Sequence, residues 1–110
     1  MKISTREAGT AVVIDIAGDI DLYSSPEVRK VVLDCIKGGP APKVLLNLTE
    51  VPYMDSSGVG SLVEGLQWAN REGRRLVLFG LSKRARAVIE LARLDRVFQI
   101  CATEEEALAL

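Results

Sequence analysis

The sequence predicts an α/β fold built on a mostly parallel sheet of four to five strands, with one antiparallel edge and about four helices. Three observations predict it. Apolar residues recur at period two early in the chain and then change to a helical period. Two nearly continuous apolar runs, Val44-Leu45-Leu46-Asn47-Leu48 and Leu76-Val77-Leu78-Phe79, have the pattern of strands covered on both faces. Helical stripes separate these runs, and strands alternating with helices call for right-handed crossovers between parallel strands.

Val12, Ile14 and Ile16 fall on one face of a half-buried strand over Ala11–Gly18. The shorter, more polar run containing Ile3 and Arg6, before Gly9, reads as an edge strand joined to it by a hairpin. In Ser24-Ser25-Pro26-Glu27 a capping serine, an early proline and a glutamate three residues after Ser24 predict a helix start. Val28, Val31, Val32, Cys35 and Ile36 form its apolar stripe, and Gly38-Gly39-Pro40 ends it. Val59, Leu62, Val63 and Leu66 mark a second helix that closes near Gly73. Ser82 opens a third, with Ala85, Val88, Ile89 and Ala92 toward the core. Phe98-Gln99-Ile100-Cys101 reads as a short last strand, and Thr103-Glu104-Glu105-Glu106 as a capping box before a terminal helix.

The 110 residues make one domain, 1–110, long enough to bury roughly 60–70 % of the unfolded surface. With no histidine, the commonest general base, Ser-His and Cys-His nucleophile pairs and imidazole metal sites are all excluded. Neither a phosphate-binding loop nor a carboxylate pair suited to acid–base work is present, so the expectation is not an enzyme, with no cofactor and no metal. Cys35 and Cys101 are too few for a four-thiolate zinc site and read as reduced core thiols. A net charge of −1 and 5 % aromatic residues argue against nucleic-acid binding. No run approaches the roughly 18 apolar residues of a membrane span, and no signal peptide is evident, so a cytoplasmic location is expected.

The segment Tyr53-Met54-Asp55-Ser56-Ser57-Gly58-Val59-Gly60 joins the first apolar run to the second helix. Asp55, Ser56 and Ser57 can each cap a helix, although one cap suffices. Gly58 and Gly60 fall in the first turn, where glycine costs up to about 1 kcal/mol relative to alanine. That suggests stability exchanged for close approach by another molecule. In open α/β sheets, sites gather beyond the carboxyl ends of the strands, where helix N-termini present free amides. A hydroxyl there is well placed to carry a phosphate, whose charge of about −2 would repel an acidic partner surface. The plain alternative is a serine that only caps.

These residues resemble the STAS-domain family, and within it the small bacterial anti-sigma-factor antagonists. The likeness spans nearly the whole chain: Gly18-Asp19-Ile20-Asp21, Leu46-Asn47-Leu48, the segment from Tyr53 to Gly60, Gly80-Leu81-Ser82 and Leu94-Asp95-Arg96-Val97-Phe98. It implies a single STAS-type domain acting in a partner switch. The unphosphorylated antagonist binds an anti-sigma factor that is also a serine kinase and so frees the sigma factor. Phosphorylation at Ser56 then reverses binding, and a PP2C-type phosphatase resets the switch. By the same resemblance Asp21 and Asp55 lie beside Ser56, and Tyr23, Ser57, Gly58, Val59 and Gly60 join them in the partner-binding surface. The alternative role is a non-switching STAS module in a signalling scaffold or lipid-transport complex. The chain departs from many relatives at Arg93, where a glycine would suit a left-handed helix stop.

Three features have plainer readings. Asp21 and Tyr23 read as turn chemistry when taken alone. Trp68 reads as partial burial at the core edge rather than as a partner anchor. Residues 69–97 hold eight basic side chains against three acidic ones, by default a solvated helix face, otherwise a steering surface for an acidic partner or, third, a weak nucleotide-binding surface.

Overall fold

The computed structural model describes residues 1–110 and contains every element of the expected alternation. β1 (Lys2–Ala8) and β2 (Ala11–Ala17) form the hairpin, and α1 (Ser25–Gly38) leads to β3 (Lys43–Glu50). α2 (Ser56–Arg71) leads to β4 (Arg75–Phe79), α3 (Lys83–Leu91) to β5 (Gln99–Cys101), and α4 (Glu104–Ala109) comes last. The sheet has five strands in the order β1-β2-β3-β4-β5, with β1 antiparallel to β2 and the rest parallel.

Helices α1, α2 and α3 cover one face. There Ile14, Ile16, Leu46 and Leu78 pack with Val28, Ile36, Leu62 and Ile89. The other face has its own apolar cluster, in which Val13, Leu45, Val77 and Phe79 meet Ala107 of α4. β2 is therefore more than half-buried. The period-two reading assigned Val12, Ile14 and Ile16 to the core, but Val13 is fully buried beneath α4 while Val12 is only partly covered.

Two helix starts follow the expected chemistry and one does not. Ser82 Oγ accepts from the Ala85 amide at 3.1 Å, and Thr103 Oγ1 from the Glu106 amide at 3.2 Å, with the Glu106 carboxylate reaching back to the Ala102 amide. Ser24 caps nothing with its side chain; its Oγ donates instead to the Asp19 carbonyl at 2.8 Å. Other expectations are corrected in detail. Ala92 lies past the end of α3 and is exposed, and both cysteines are half-buried rather than sealed in the core. Trp68 is half-buried, as expected, with Lys37 Nζ 3.8 Å and the Arg71 guanidinium 4.6 Å from its ring centroid, so its own chain's cations occupy it.

Arg93 has φ 60°, the left-handed conformation that a glycine would adopt at little cost. Its amide donates to Glu90 O at 2.9 Å and the Leu94 amide to Ile89 O at 3.0 Å, the paired bonds of a Schellman stop. The helix ends as it would with glycine, but an L side chain bears the strain. Arg93→Gly is expected to raise stability by about 0.5–1 kcal/mol, the relieved strain less the extra chain entropy of glycine. Thermal unfolding should move up by a few degrees; a lower midpoint would contradict the strain argument.

α4 is fastened at both ends. Arg6 ion-pairs with Asp15 of β2 and with Glu104 of α4, while Lys43 Nζ donates to the carbonyls of Ala107 (3.1 Å), Leu108 (2.9 Å) and Leu110. The Arg6 hydrogen bonds hold the carboxyls of both Asp15 and Glu104 below the ordinary carboxylate range. A depressed carboxyl contributes stability that is present above its unfolded value, about 4, and is lost as pH falls through its folded value. Unfolding free energy is therefore expected to decline below about pH 4. Arg6→Ala should flatten that decline and cost about 1 kcal/mol at neutral pH, a modest figure because the pair is partly solvated. Urea titrations of both proteins at several pH values check this.

Candidate functional site

The loops after β2 and β3 run side by side beyond the carboxyl ends of the strands. The Gly18 amide donates to Glu50 O at 3.0 Å, the Ile20 amide to Tyr53 O at 3.0 Å and the Asp55 amide to Ile20 O at 3.1 Å. Ile20 and Met54, paired across this short bridge, are both fully buried and peg the loops to the core. The start of α2 is thereby held against the residues that precede α1.

Asp55 is the helix cap. Its Oδ1 accepts from the amides of Ser57 (2.9 Å) and Gly58 (3.1 Å), and its Oδ2 from the amide of Leu22 at 3.2 Å. One carboxylate thus both starts α2 and ties the two loops together. Since Asp55 takes the capping role, Ser56 stands as the first residue of a 16-residue helix with its side chain exposed. Ser57 is half-buried, and its carbonyl accepts from Ser61 Oγ at 3.2 Å.

Asp21 makes the partner turn. Its Oδ1 accepts from the amides of Tyr23 and Ser24, each at 3.0 Å, and these bonds, above all that from Ser24, hold its carboxyl below the ordinary range. This turn presents Leu22 at 65 % and Tyr23 at 90 % exposure. Burying such side chains at an interface is favourable, by about 25 cal/mol per Å² of apolar area removed from water. Leu22 was not among the residues singled out from the sequence, where the only signal was an apolar residue inside a polar turn. Arg84 was also missed. It sits 5.1 Å from the Tyr53 ring, and Ser82 Oγ donates to Pro52 O at 3.1 Å, so the start of α3 closes another side of the site.

The two glycines differ. A Cβ at Gly60 would meet nothing within 4 Å, so its surface is open. A Cβ at Gly58 would lie 2.7 Å from both Ile20 O and Met54 Cγ. The absent side chain at Gly58 therefore makes room for the chain's own loop, not for another molecule as its position suggested. Val59, at 6 % exposure, is likewise a core residue with little surface to offer a partner. Ser56, Ser57, Gly60, Leu22 and Tyr23 form the accessible part of the site.

None of the surface hollows is lined by Asp21, Asp55 or Ser56. No group of three His, Cys, Asp or Glu side chains is placed to hold a metal ion. A phosphate on Ser56 Oγ would gain from the positive end of α2. Asp55 already occupies the Ser57 and Gly58 amides, so those two donors would not be free to bind the phosphate. No helix is long and apolar enough to cross a membrane.

A model of the STAS domain matches residues 2–107. The chain is 36 % identical over 93 residues to an anti-sigma-B factor antagonist of Listeria monocytogenes, covering 84 % of this chain and 81 % of that one. Its fold is similar to an anti-sigma factor antagonist from Mycobacterium paratuberculosis, with a TM-score of 0.88 at 19 % identity over 98 % of this chain and 91 % of the other. It is also similar to the phosphorylated form of SpoIIAA, a Bacillus cell-fate determinant, with a TM-score of 0.74 at 26 % identity over 98 % and 97 % of the two chains.

Proposed function

The chain belongs to the STAS domain family, and from that premise we propose that it is an anti-sigma-factor antagonist whose binding is switched at Ser56. Unphosphorylated, it docks on an anti-sigma factor that is also a serine kinase and so releases the sigma factor. Transfer of the γ-phosphoryl group of ATP to Ser56 Oγ, with loss of the hydroxyl proton and release of ADP, separates the pair. A PP2C-type phosphatase restores the serine by hydrolysis.

One observation carries this reading: Asp55 caps α2, so the Ser56 hydroxyl is exposed and has no structural duty to surrender when modified. The antagonist names of the relatives and the phosphorylated state of one similar structure support it. Leu22 and Tyr23 supply apolar contact beside the hydroxyl, and Asp21 and Asp55 hold the loops in register. Docking and release need no catalytic group from this chain, since the kinase and the phosphatase supply the chemistry.

The test is reconstitution with the cognate anti-sigma kinase bound to its sigma factor. Without ATP the antagonist is expected to displace the sigma factor on a sizing column. With ATP, intact-mass measurement should show one added phosphate, on the tryptic peptide containing Ser56. A sigma factor that stays bound at excess antagonist would overturn the proposal.

A further inference from the structure

The amino end of the parallel strands, opposite Ser56, holds an unused basic and apolar surface. β4 and β5 begin there, and α2 and α3 end there. Leu91 is 85 % exposed and Val97 55 %. On either side of the Arg96–Val97 segment are two hollows. One, of about 530 Å³, is lined by Leu91, Arg93 and Arg96 together with Glu90 and Asp95; the other, of about 300 Å³, by Arg74, Arg75 and Val97.

The four arginines are short of partners. None of the ion pairs in the structure includes Arg74, Arg75, Arg93 or Arg96, while Glu90 already faces Arg86 at 3.9 Å. Arg74 Nη1 donates to Ala41 O at 2.7 Å, but its buried Nε has no acceptor. Arg93 keeps a guanidinium at a left-handed position where glycine would be cheaper. Backbone strain of this kind persists where something other than stability favours the residue.

We infer that this end is a second docking surface, for an acidic protein segment whose carboxylates alternate with aliphatic side chains. Guanidinium groups bind carboxylates as a planar fork, which suits four unpaired arginines better than four lysines would. Leu91 and Val97 give the aliphatic side chains something to cover. The two hollows are lined by four arginines against two carboxylates, a positive balance that complements acidic side chains. No aromatic ring lines either hollow for base stacking, which disfavours a nucleic acid. The site lies on the opposite end from Ser56, so both partners can be held at once.

The test is chemical-shift mapping on the isotope-labelled full chain with a synthetic peptide of alternating glutamate and leucine as probe. Shifts are expected at Arg74, Arg75 and residues 91–97, and affinity should fall about fivefold or more between ~50 and ~500 mM salt. A lysine-for-glutamate version of the peptide should leave the spectrum unchanged. Arg96→Glu should abolish the shifts. Arg93→Gly should weaken binding about threefold while raising thermal stability, which separates loss of the site from loss of the fold. Shifts confined to residues 21–24 and 55–60, or unaltered binding in Arg96→Glu, would overturn the inference. So would tighter binding at this end to a ~20-base-pair duplex or to phosphatidylglycerol vesicles than to the peptide.

Discussion

Ser56→Asp is expected to weaken binding to the anti-sigma kinase by roughly 10- to 100-fold, because a fixed negative charge at an interface made for a neutral hydroxyl costs up to a few kcal/mol. Folding should be nearly unaffected. An acidic residue in the first turn is favoured by the helix dipole, and the cap remains Asp55, so the unfolding free energy should change by less than about 0.5 kcal/mol. Ser56→Ala should bind with near wild-type affinity and accept no phosphate, which locks the partner in the released-sigma state. Titration calorimetry of the three proteins against the ADP-bound kinase measures the affinities, denaturant melts the stabilities, and intact mass after incubation with kinase and ATP the phosphate. Undiminished affinity in Ser56→Asp would remove charge repulsion as the release mechanism, and wild-type phosphate incorporation in Ser56→Ala would move the site elsewhere.

The fold could be read from the sequence because period and run length are local quantities that report burial directly. Val44–Leu48 and Leu76–Phe79 are apolar on both faces because helices cover one and α4 the other, and a pattern of that kind leaves little choice of architecture. The places where the reading fell short are those where several short polar residues compete for the same amides. Asp21, Ser24 and Ser25 all precede α1, and only three-dimensional closure of the loop selects Asp21 to gather the amides while Ser24 turns to the Asp19 carbonyl. Val13 was missed for a related reason: its cover, Ala107, is far away in sequence and belongs to a six-residue helix. Of the site, the sequence offers Asp55, Ser56 and Ser57 as equal caps and sets Ser56 apart only through the family resemblance; the hydrogen bonds of Asp55 decide which residue is the cap. Leu22 and Arg84 were not legible, because nothing in one dimension brings the turn before α1 to Asp55 or the start of α3 to Tyr53.

Gly58→Ala and Gly60→Ala are expected to change stability in opposite directions, although both replace a glycine in the first turn of α2 with a better helix former. Propensity alone favours each substitution by up to about 1 kcal/mol. At Gly60 nothing lies within 4 Å of the added methyl group, so that gain should appear nearly in full. At Gly58 the methyl group would stand 2.7 Å from the carbonyl oxygen of Ile20 and 2.8 Å from its Cγ2. A backbone carbonyl cannot swing aside as a flexible side chain can, and overpacking of this kind costs about 1–3 kcal/mol, enough to outweigh propensity. The displaced atom also accepts the Asp55 amide, so pushing it back loosens the joint that holds the Leu22 turn beside Ser56. Gly58→Ala should therefore unfold at lower denaturant and bind the kinase less tightly. Gly60→Ala should unfold at higher denaturant, and any loss of affinity it shows reports contact at the open surface itself. Denaturant melts of the pair decide the matter: equal stabilisation of both would mean that the Ile20 loop yields, and that Gly58 is not what seats it.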